Sequence, residues 1–214
     1  MNNITNHKVS SFIDTLYKPL NDELGRLRDE SEYRNIPIIT KDSEMLLESI
    51  IRIKKPQNIL EIGTAVGYSS IFFTFCSDLV KISSIEISEN SIEEAKANIE
   101  KFKLEDRITL IKGDATLVLQ DIIEEFDIIF IDAAKGQYRQ FFDQCLKNTH
   151  QGSIIISDNI LYKGITASED FLTGRRNKTI MRRMRDYLDY ITNLEGVHTS
   201  VLPVGDGVAI SVLK

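Results

Sequence analysis

Ile59-Leu-Glu-Ile-Gly-Thr-Ala-Val-Gly67 sets a short apolar run directly against a turn with two glycines. Ile59 to Ile62 is too short for a helix and rich in branched side chains, so it predicts a buried strand. The glycines at 63 and 67 predict a turn whose backbone can approach a ligand closely. Working outward, Ile82 to Ile87, Ile108 to Ile111, Asp127 to Ile131 and Ser153 to Ser157 repeat the strand pattern, with segments of helical period between them. That alternation predicts an α/β fold: a mostly parallel sheet with crossover helices.

One intervening helix is predicted over Ser91 to Phe102, with Ile92, Ala95, Ile99 and Phe102 on one face and Ser91 and Glu94 as a capping box. Upstream, Val9 to Arg28 and Lys41 to Ile53 read as helices joined through Asn35-Ile-Pro-Ile38, a helical extension of about residues 1–55. Downstream, Asn177 to Leu194 aligns Ile180, Met184, Tyr187, Leu188, Ile191 and Leu194 on one stripe. Thr199 to Val204 and Val208 to Leu213 then read as an antiparallel hairpin through Gly205-Asp-Gly207. The 214 residues are expected to form one domain.

Composition narrows the class. Hydrophobic residues are 42% and charged residues 27% of the chain, as in ordinary globular proteins. No apolar run reaches the roughly 18 residues of a membrane span, and MNNITNHKVSS lacks the plan of a secretory signal, so a cytoplasmic protein is expected. Cys76 and Cys145 form no CxxC pair and read as buried free thiols. A net charge of −6 argues against coating nucleic acid by bulk charge, while leaving room for a local basic patch.

The chemistry is concentrated after the strands. Three residues separate Gly63 from Gly67 and an acid, Glu61, precedes them, which departs from the dinucleotide pattern GxGxxG. A pyrophosphate is repelled by that acid, whereas the ammonium of S-adenosylmethionine is attracted to it. Glu86 stands roughly 20 residues further on, where a carboxylate can accept from both ribose hydroxyls. Asp114, after the third strand, is placed to accept from an adenine amino group, or simply to make a turn. Ser69 either binds the methionine carboxylate at a helix N-terminus or caps that helix.

Asp132 follows the fourth strand, and Asp158-Asn159 follows the fifth. Two carboxylates and an amide at neighbouring strand ends suit a hard cation, Mg²⁺ before Ca²⁺ or Zn²⁺; the alternative is that Asp158-Asn159 caps the next segment and Asp132 ends a strand. Lys135, three residues after Asp132, is a candidate base whose proton affinity a cation would lower, or else a surface lysine. His7, His150 and His198 lie outside these loops. Arg175, Arg176, Lys178, Arg182, Arg183 and Arg185 form a basic cluster suited to phosphates, or the charged face of a helix diluted by Asp186 and Asp189.

Together these residues resemble the cation-dependent class I O-methyltransferases of the catechol and caffeoyl-CoA type, over about residues 35 to 213. Within the family the chain is most similar to the bacterial tRNA 5-hydroxyuridine methyltransferases, chiefly through Asp132-Ala-Ala-Lys-Gly-Gln-Tyr138 and Pro203-Val-Gly-Asp-Gly207. The resemblance implies a Rossmann-like, seven-stranded sheet with an antiparallel last strand and helices on both faces, and a homodimer. It implies S-adenosylmethionine held by Ile39, Ser69, Glu86, Asp114 and Ala115, and Mg²⁺ at Asp132, Asp158 and Asn159, with Asp132 also touching the donor ammonium. Ile39 departs from the Met expected in many relatives. The implied reaction is methylation of 5-hydroxyuridine at the tRNA wobble position, with Asp132 and Lys135 catalytic. The alternatives are a small catechol as acceptor, or a nucleoside-binding module without catalysis.

Overall fold

The computed structural model describes residues 4–172 and 174–214. Its centre is a seven-stranded sheet of β1 (Asn58–Ile62), β2 (Lys81–Glu86), β3 (Ile108–Lys112), β4 (Phe126–Ile131), β5 (Thr149–Ser157), β6 (Val197–Leu202) and β7 (Val208–Leu213). The spatial order is β3-β2-β1-β4-β5-β7-β6. Only β7 runs against its neighbours, pairing antiparallel with both β5 and β6. After β3 the chain returns to the far side of β1, so the order reverses between β1 and β4 and opens a crevice at the carboxyl ends of those strands.

The strands are apolar on both faces because both faces are covered. On β4, Ile128 and Phe130 enter one core layer and Ile129 and Ile131 the other. The first layer is completed by α2 (Asp22–Tyr33), α3 (Lys41–Lys54), α4 (Tyr68–Cys76) and α5 (Glu89–Lys101). The second is completed by α6 (Ala115–Asp121), α7 (Tyr138–Cys145) and α8 (Arg175–Asn193). In α8, Met184, Tyr187 and Ile191 of the sequence stripe are buried, and Met181 joins them.

Three local readings are corrected. The helix expected over Val9 to Arg28 is two, α1 (His7–Asp14) and α2, because Pro19 interrupts the segment and Asn21 caps a new start by accepting from the Leu24 N–H at 2.8 Å. Ser91 and Glu94 make no capping box: Ser88 caps α5, accepting from the Ser91 N–H at 3.3 Å, while Glu94 pairs with Arg34. The strand expected over Thr199 to Val204 starts and ends two residues earlier, since Pro203 cannot donate to the ladder. Among the described residues no helix is long and apolar enough to cross a membrane. Both cysteines are buried and free, and burial pushes the Cys145 thiol up to about 12.

Candidate functional site

Every loop singled out for its chemistry emerges at the carboxyl edge of the sheet, and together they wall a cleft of about 400 Å³. Gly63 comes from the turn after β1, Ser69 from the first turn of α4, Glu86 from the end of β2, and Asp114 and Ala115 from the start of α6. Asp132, Lys135 and Asn159 come from the loops after β4 and β5, and Pro37 to Ile39 close the cleft from the N-terminal side. Glu86 is pinned by backbone N–H groups of Ala65, Ile87 and Ser88 at 3.0, 2.9 and 2.8 Å, which aims a fixed carboxylate at the cleft wall. Asp114 caps α6 through Oδ1, which accepts from the Thr116 N–H at 2.8 Å and hydroxyl at 2.7 Å. Those bonds hold its carboxyl below the usual carboxylate range.

Two residues of the glycine turn stand elsewhere than the sequence reading put them. Glu61 is wholly buried behind the cleft wall and does not face it. Its oxygens accept from the hydroxyls of Ser69, Ser70 and Ser84, so it anchors the start of α4, where Ser69 lines the cleft. Gly67 also lies off the cleft. At φ +82° it is the N-cap of α4, and a Cβ there would lie 3.3 Å from Ala95 Cβ on α5, so the glycine serves helix packing.

Burial raises the Glu61 carboxyl to about 7, even though the three hydroxyls favour its charged form. Between pH 4.5 and about 7 the folded chain therefore holds a proton at Glu61 that the unfolded chain has released. By linkage that destabilises the fold as pH rises through the window. Glu61→Gln is expected to flatten this part of the stability profile, read as urea midpoints at several pH values. A variant profile parallel to wild type would show that Glu61 titrates normally.

At the other end of the cleft the donors converge. Asn159 takes a left-handed φ of +58°, and its Nδ2 donates to Asp132 Oδ1 at 2.7 Å. Asp158 is buried; its Oδ1 accepts from the Asn159 N–H at 2.7 Å, and its carbonyl accepts from the Tyr138 hydroxyl at 2.9 Å. Burial, then the neighbouring Asp132 charge, holds the Asp158 carboxyl well above the usual range. Asp132 is also raised by burial, against the pull of Lys135 and the Asn159 amide.

Two desolvated carboxylates that repel each other, with an amide oxygen alongside, fit a divalent oxygen-seeking cation that would neutralise both. Among the described residues no group of three or more His, Cys, Asp and Glu side chains is arranged for a metal, so the set depends on Asn159. The Lys135 ammonium lies 5.1 Å from the centroid of the Tyr162 ring.

Sequence reasoning missed Asp206, between the hairpin glycines. Its Oδ1 accepts from the Lys163 N–H at 2.7 Å, its carbonyl from the Leu161 N–H at 2.9 Å, and its charge acts on both Asp132 and Asp158. The only signal was the Gly-Asp-Gly string. In the basic cluster, Lys178, Arg182 and Arg183 are exposed on α8, whereas the side chains of Arg175 and Arg176 lie outside the described residues. Arg185 is engaged by the carbonyls of Thr166 at 2.7 Å and Ala167 at 3.1 Å, and so braces the loop after β5.

A sheet in this order, with a ligand-sized cleft at its switch point, is a Rossmann-like architecture of the kind that binds nucleotide-type ligands. A Staphylococcus aureus structure provisionally described as a caffeoyl-CoA O-methyltransferase superposes with a TM-score of 0.90 at 31% identity, over 95% of this chain and 98% of that one. An O-methyltransferase from Bacillus cereus, solved with S-adenosylhomocysteine, superposes with a TM-score of 0.82 at 27% identity, over 97% of each chain. Residues 16–214 match the O-methyltransferase family, and the chain belongs to it. A catechol O-methyltransferase from Niastella koreensis is 26% identical over 226 aligned residues, spanning 100% of both chains.

Proposed function

We propose that the protein transfers the methyl group of S-adenosylmethionine to the 5-hydroxyl of a wobble uridine in tRNA, giving 5-methoxyuridine, with Mg²⁺ and as a homodimer. The observation that carries the acceptor is the position of the basic helix. Exposed Arg183 of α8 reaches the reaction loop, its Nη1 2.9 Å from where a Cβ of Gly136 would stand, next to Lys135. A phosphate backbone following Lys178, Arg182 and Arg183 is thereby led to the Asp132 end of the cleft.

Glu86 is oriented to take the donor's ribose hydroxyls and Asp114 its adenine amino group, which leaves the sulfonium towards Asp132. Held by Asp132, Asp158 and Asn159, Mg²⁺ would supply Lewis acidity to the vicinal O4 and O5 oxygens of the base. Lys135, restrained against Tyr162, is placed to take the hydroxyl proton or offset the oxyanion's charge. The homodimer is supported by α1, which has no buried residue and shows Val9 and Phe12 to solvent.

A second reading, a small vicinal diphenol as acceptor, is favoured by the full-length likeness to the Niastella koreensis catechol enzyme. Labelled S-adenosylmethionine and Mg²⁺, offered with hydroxyuridine-containing tRNA, the same tRNA lacking the hydroxyl, and catechol, separate the two. Label is expected only in the first. Arg182→Glu with Arg183→Glu is expected to weaken tRNA binding by roughly tenfold or more at low salt and to flatten its salt dependence. Label in catechol alone, or unchanged tRNA binding by the variant, would remove tRNA from the account.

A further inference from the structure

One buried ion pair, Arg28 with Glu44, lies outside the machinery described so far. Arg28 of α2 is 2% exposed, and every part of its guanidinium is engaged. Nε donates to the Tyr17 and Tyr68 hydroxyls at 3.1 and 3.0 Å, and Nη1 donates to Glu32 at 2.9 Å. Nη2 donates to the Ile39 carbonyl at 3.0 Å and to the carboxylate of Glu44 on α3. Glu44, itself buried, accepts in addition from the Tyr17 hydroxyl at 2.8 Å and the Tyr68 hydroxyl at 2.7 Å. The Tyr68 ring lies 4.7 Å from the guanidinium carbon.

Two of the groups that this fork holds, Ile39 and Tyr68, wall the cleft, whereas Arg28 and Glu44 do not reach it. Residues 36–40 belong to no helix or strand, so no ladder fixes them over the cleft. They are held at the ends by backbone bonds, at Ile39 by burial of its side chain in the core, and at the Ile39 carbonyl by Arg28. A buried ion pair adds little net stability compared with apolar residues of the same size, so structural glue alone is a poor account of this one. A planar fork that reaches a carbonyl, a carboxylate and two hydroxyls at once instead fixes geometry, which a lysine ammonium cannot reproduce.

We infer that Arg28, with Glu44, is a positioning residue for the methyl donor, locking the Pro37–Ile39 segment and the Tyr68 ring into the wall that the donor packs against. The inference rests on reading the cleft as the S-adenosylmethionine site. It assigns the N-terminal helices a function: they carry the clamp that closes one side of that site.

The test uses the full chain and S-adenosylhomocysteine as the probe. Arg28→Met with Glu44→Leu removes both charges and so leaves no orphaned ion, while Arg28→Lys keeps the charge opposite Glu44 but loses the fork. Each is checked for wild-type circular dichroism and cooperative unfolding, then titrated calorimetrically. Both variants are expected to bind the probe about tenfold more weakly. The donor KM should rise in parallel, and kcat at saturating donor should stay within about threefold of wild type. A folded variant with wild-type affinity, or one that loses kcat with affinity unchanged, overturns the inference. A wild-type protein that does not bind the probe overturns the donor-site reading itself, and this inference with it.

Discussion

Methyl transfer by Asp158→Ala is expected to fall by about 10²–10³-fold at saturating donor, while S-adenosylhomocysteine still binds. The separation follows from where the residue stands. Asp158 is buried behind Asn159 and is not part of the cleft wall, so the donor's contacts survive its loss. What disappears is one of two carboxylates that make the all-oxygen set attractive to a divalent cation. Asn159 also loses the oxygen that its N–H reaches at 2.7 Å. Lys135→Ala is expected to cost only about tenfold, because a cation held by Asp132, Asp158 and Asn159 would itself favour the ionised hydroxyl and the lysine would add to that effect.

The same substitution should stabilise the chain when chelator is present. Asp158 is held well above the ordinary carboxylate range, so at neutral pH the folded state must keep a proton there or bear the repulsion from Asp132. Thermal unfolding in excess chelator is therefore expected to shift upward in Asp158→Ala, and downward relative to wild type when Mg²⁺ is added to both. Wild-type turnover by Asp158→Ala would sink the cation mechanism. A larger loss in Lys135→Ala would transfer the deprotonation to the lysine.

What could be read before the structure, and what could not, follows from the range of the interactions concerned. On β4, Ile128 and Phe130 pack to one side and Ile129 and Ile131 to the other, so a strand buried on both faces reads as a continuous apolar run. Glu86, Asp114, Asp132 and Asp158 could be picked out because parallel strands deliver their carboxyl ends to one edge, whatever the details of packing. The roles of Glu61 and Gly67 could not, because they depend on partners from other elements: Ser84 on β2 for the acid and Ala95 on α5 for the glycine.

Arg28 was invisible for a related reason. It lies in a helix of mixed charges and reads as a solvated arginine until Glu44, Tyr17 and Tyr68 are seen to surround it. The charge of Asp206 is felt at Asp132 and Asp158 because β7 runs antiparallel beside β5 and brings its leading loop to the carboxyl edge. Local spacing carries no information about that return. The break at Pro19, by contrast, was legible in principle: a proline followed by an N-cap asparagine is a stop and a start, and the periodicity on either side masked it.

Gly63→Ala is expected to destabilise the fold by about 3 kcal/mol or more and to abolish donor binding, whereas Gly67→Ala should cost only about 1–2 kcal/mol. The glycine pattern alone treats the two as equals. The structure separates them by what each would strike. At Gly63, φ is +103° and a Cβ would fall 2.1 Å from the Asp132 carbonyl oxygen and 2.9 Å from its carbon. Both atoms are backbone and cannot swing aside. At Gly67 the nearest atom is Ala95 Cβ at 3.3 Å, which a small shift of α5 relieves.

Relief at Gly63 requires β1 and β4 to part where the Asp132 N–H donates to the Ile62 carbonyl at 3.0 Å. That bond joins the donor turn to the loop that carries Asp132 and Lys135, so both ends of the reaction are expected to fail together. Urea midpoints and S-adenosylhomocysteine titrations of the two variants give the comparison. Equal losses at the two positions, or a Gly63→Ala variant that binds normally, would mean that the turn yields without disturbing Asp132. The close approach of the two backbones would then be incidental to how donor and acceptor are brought into line.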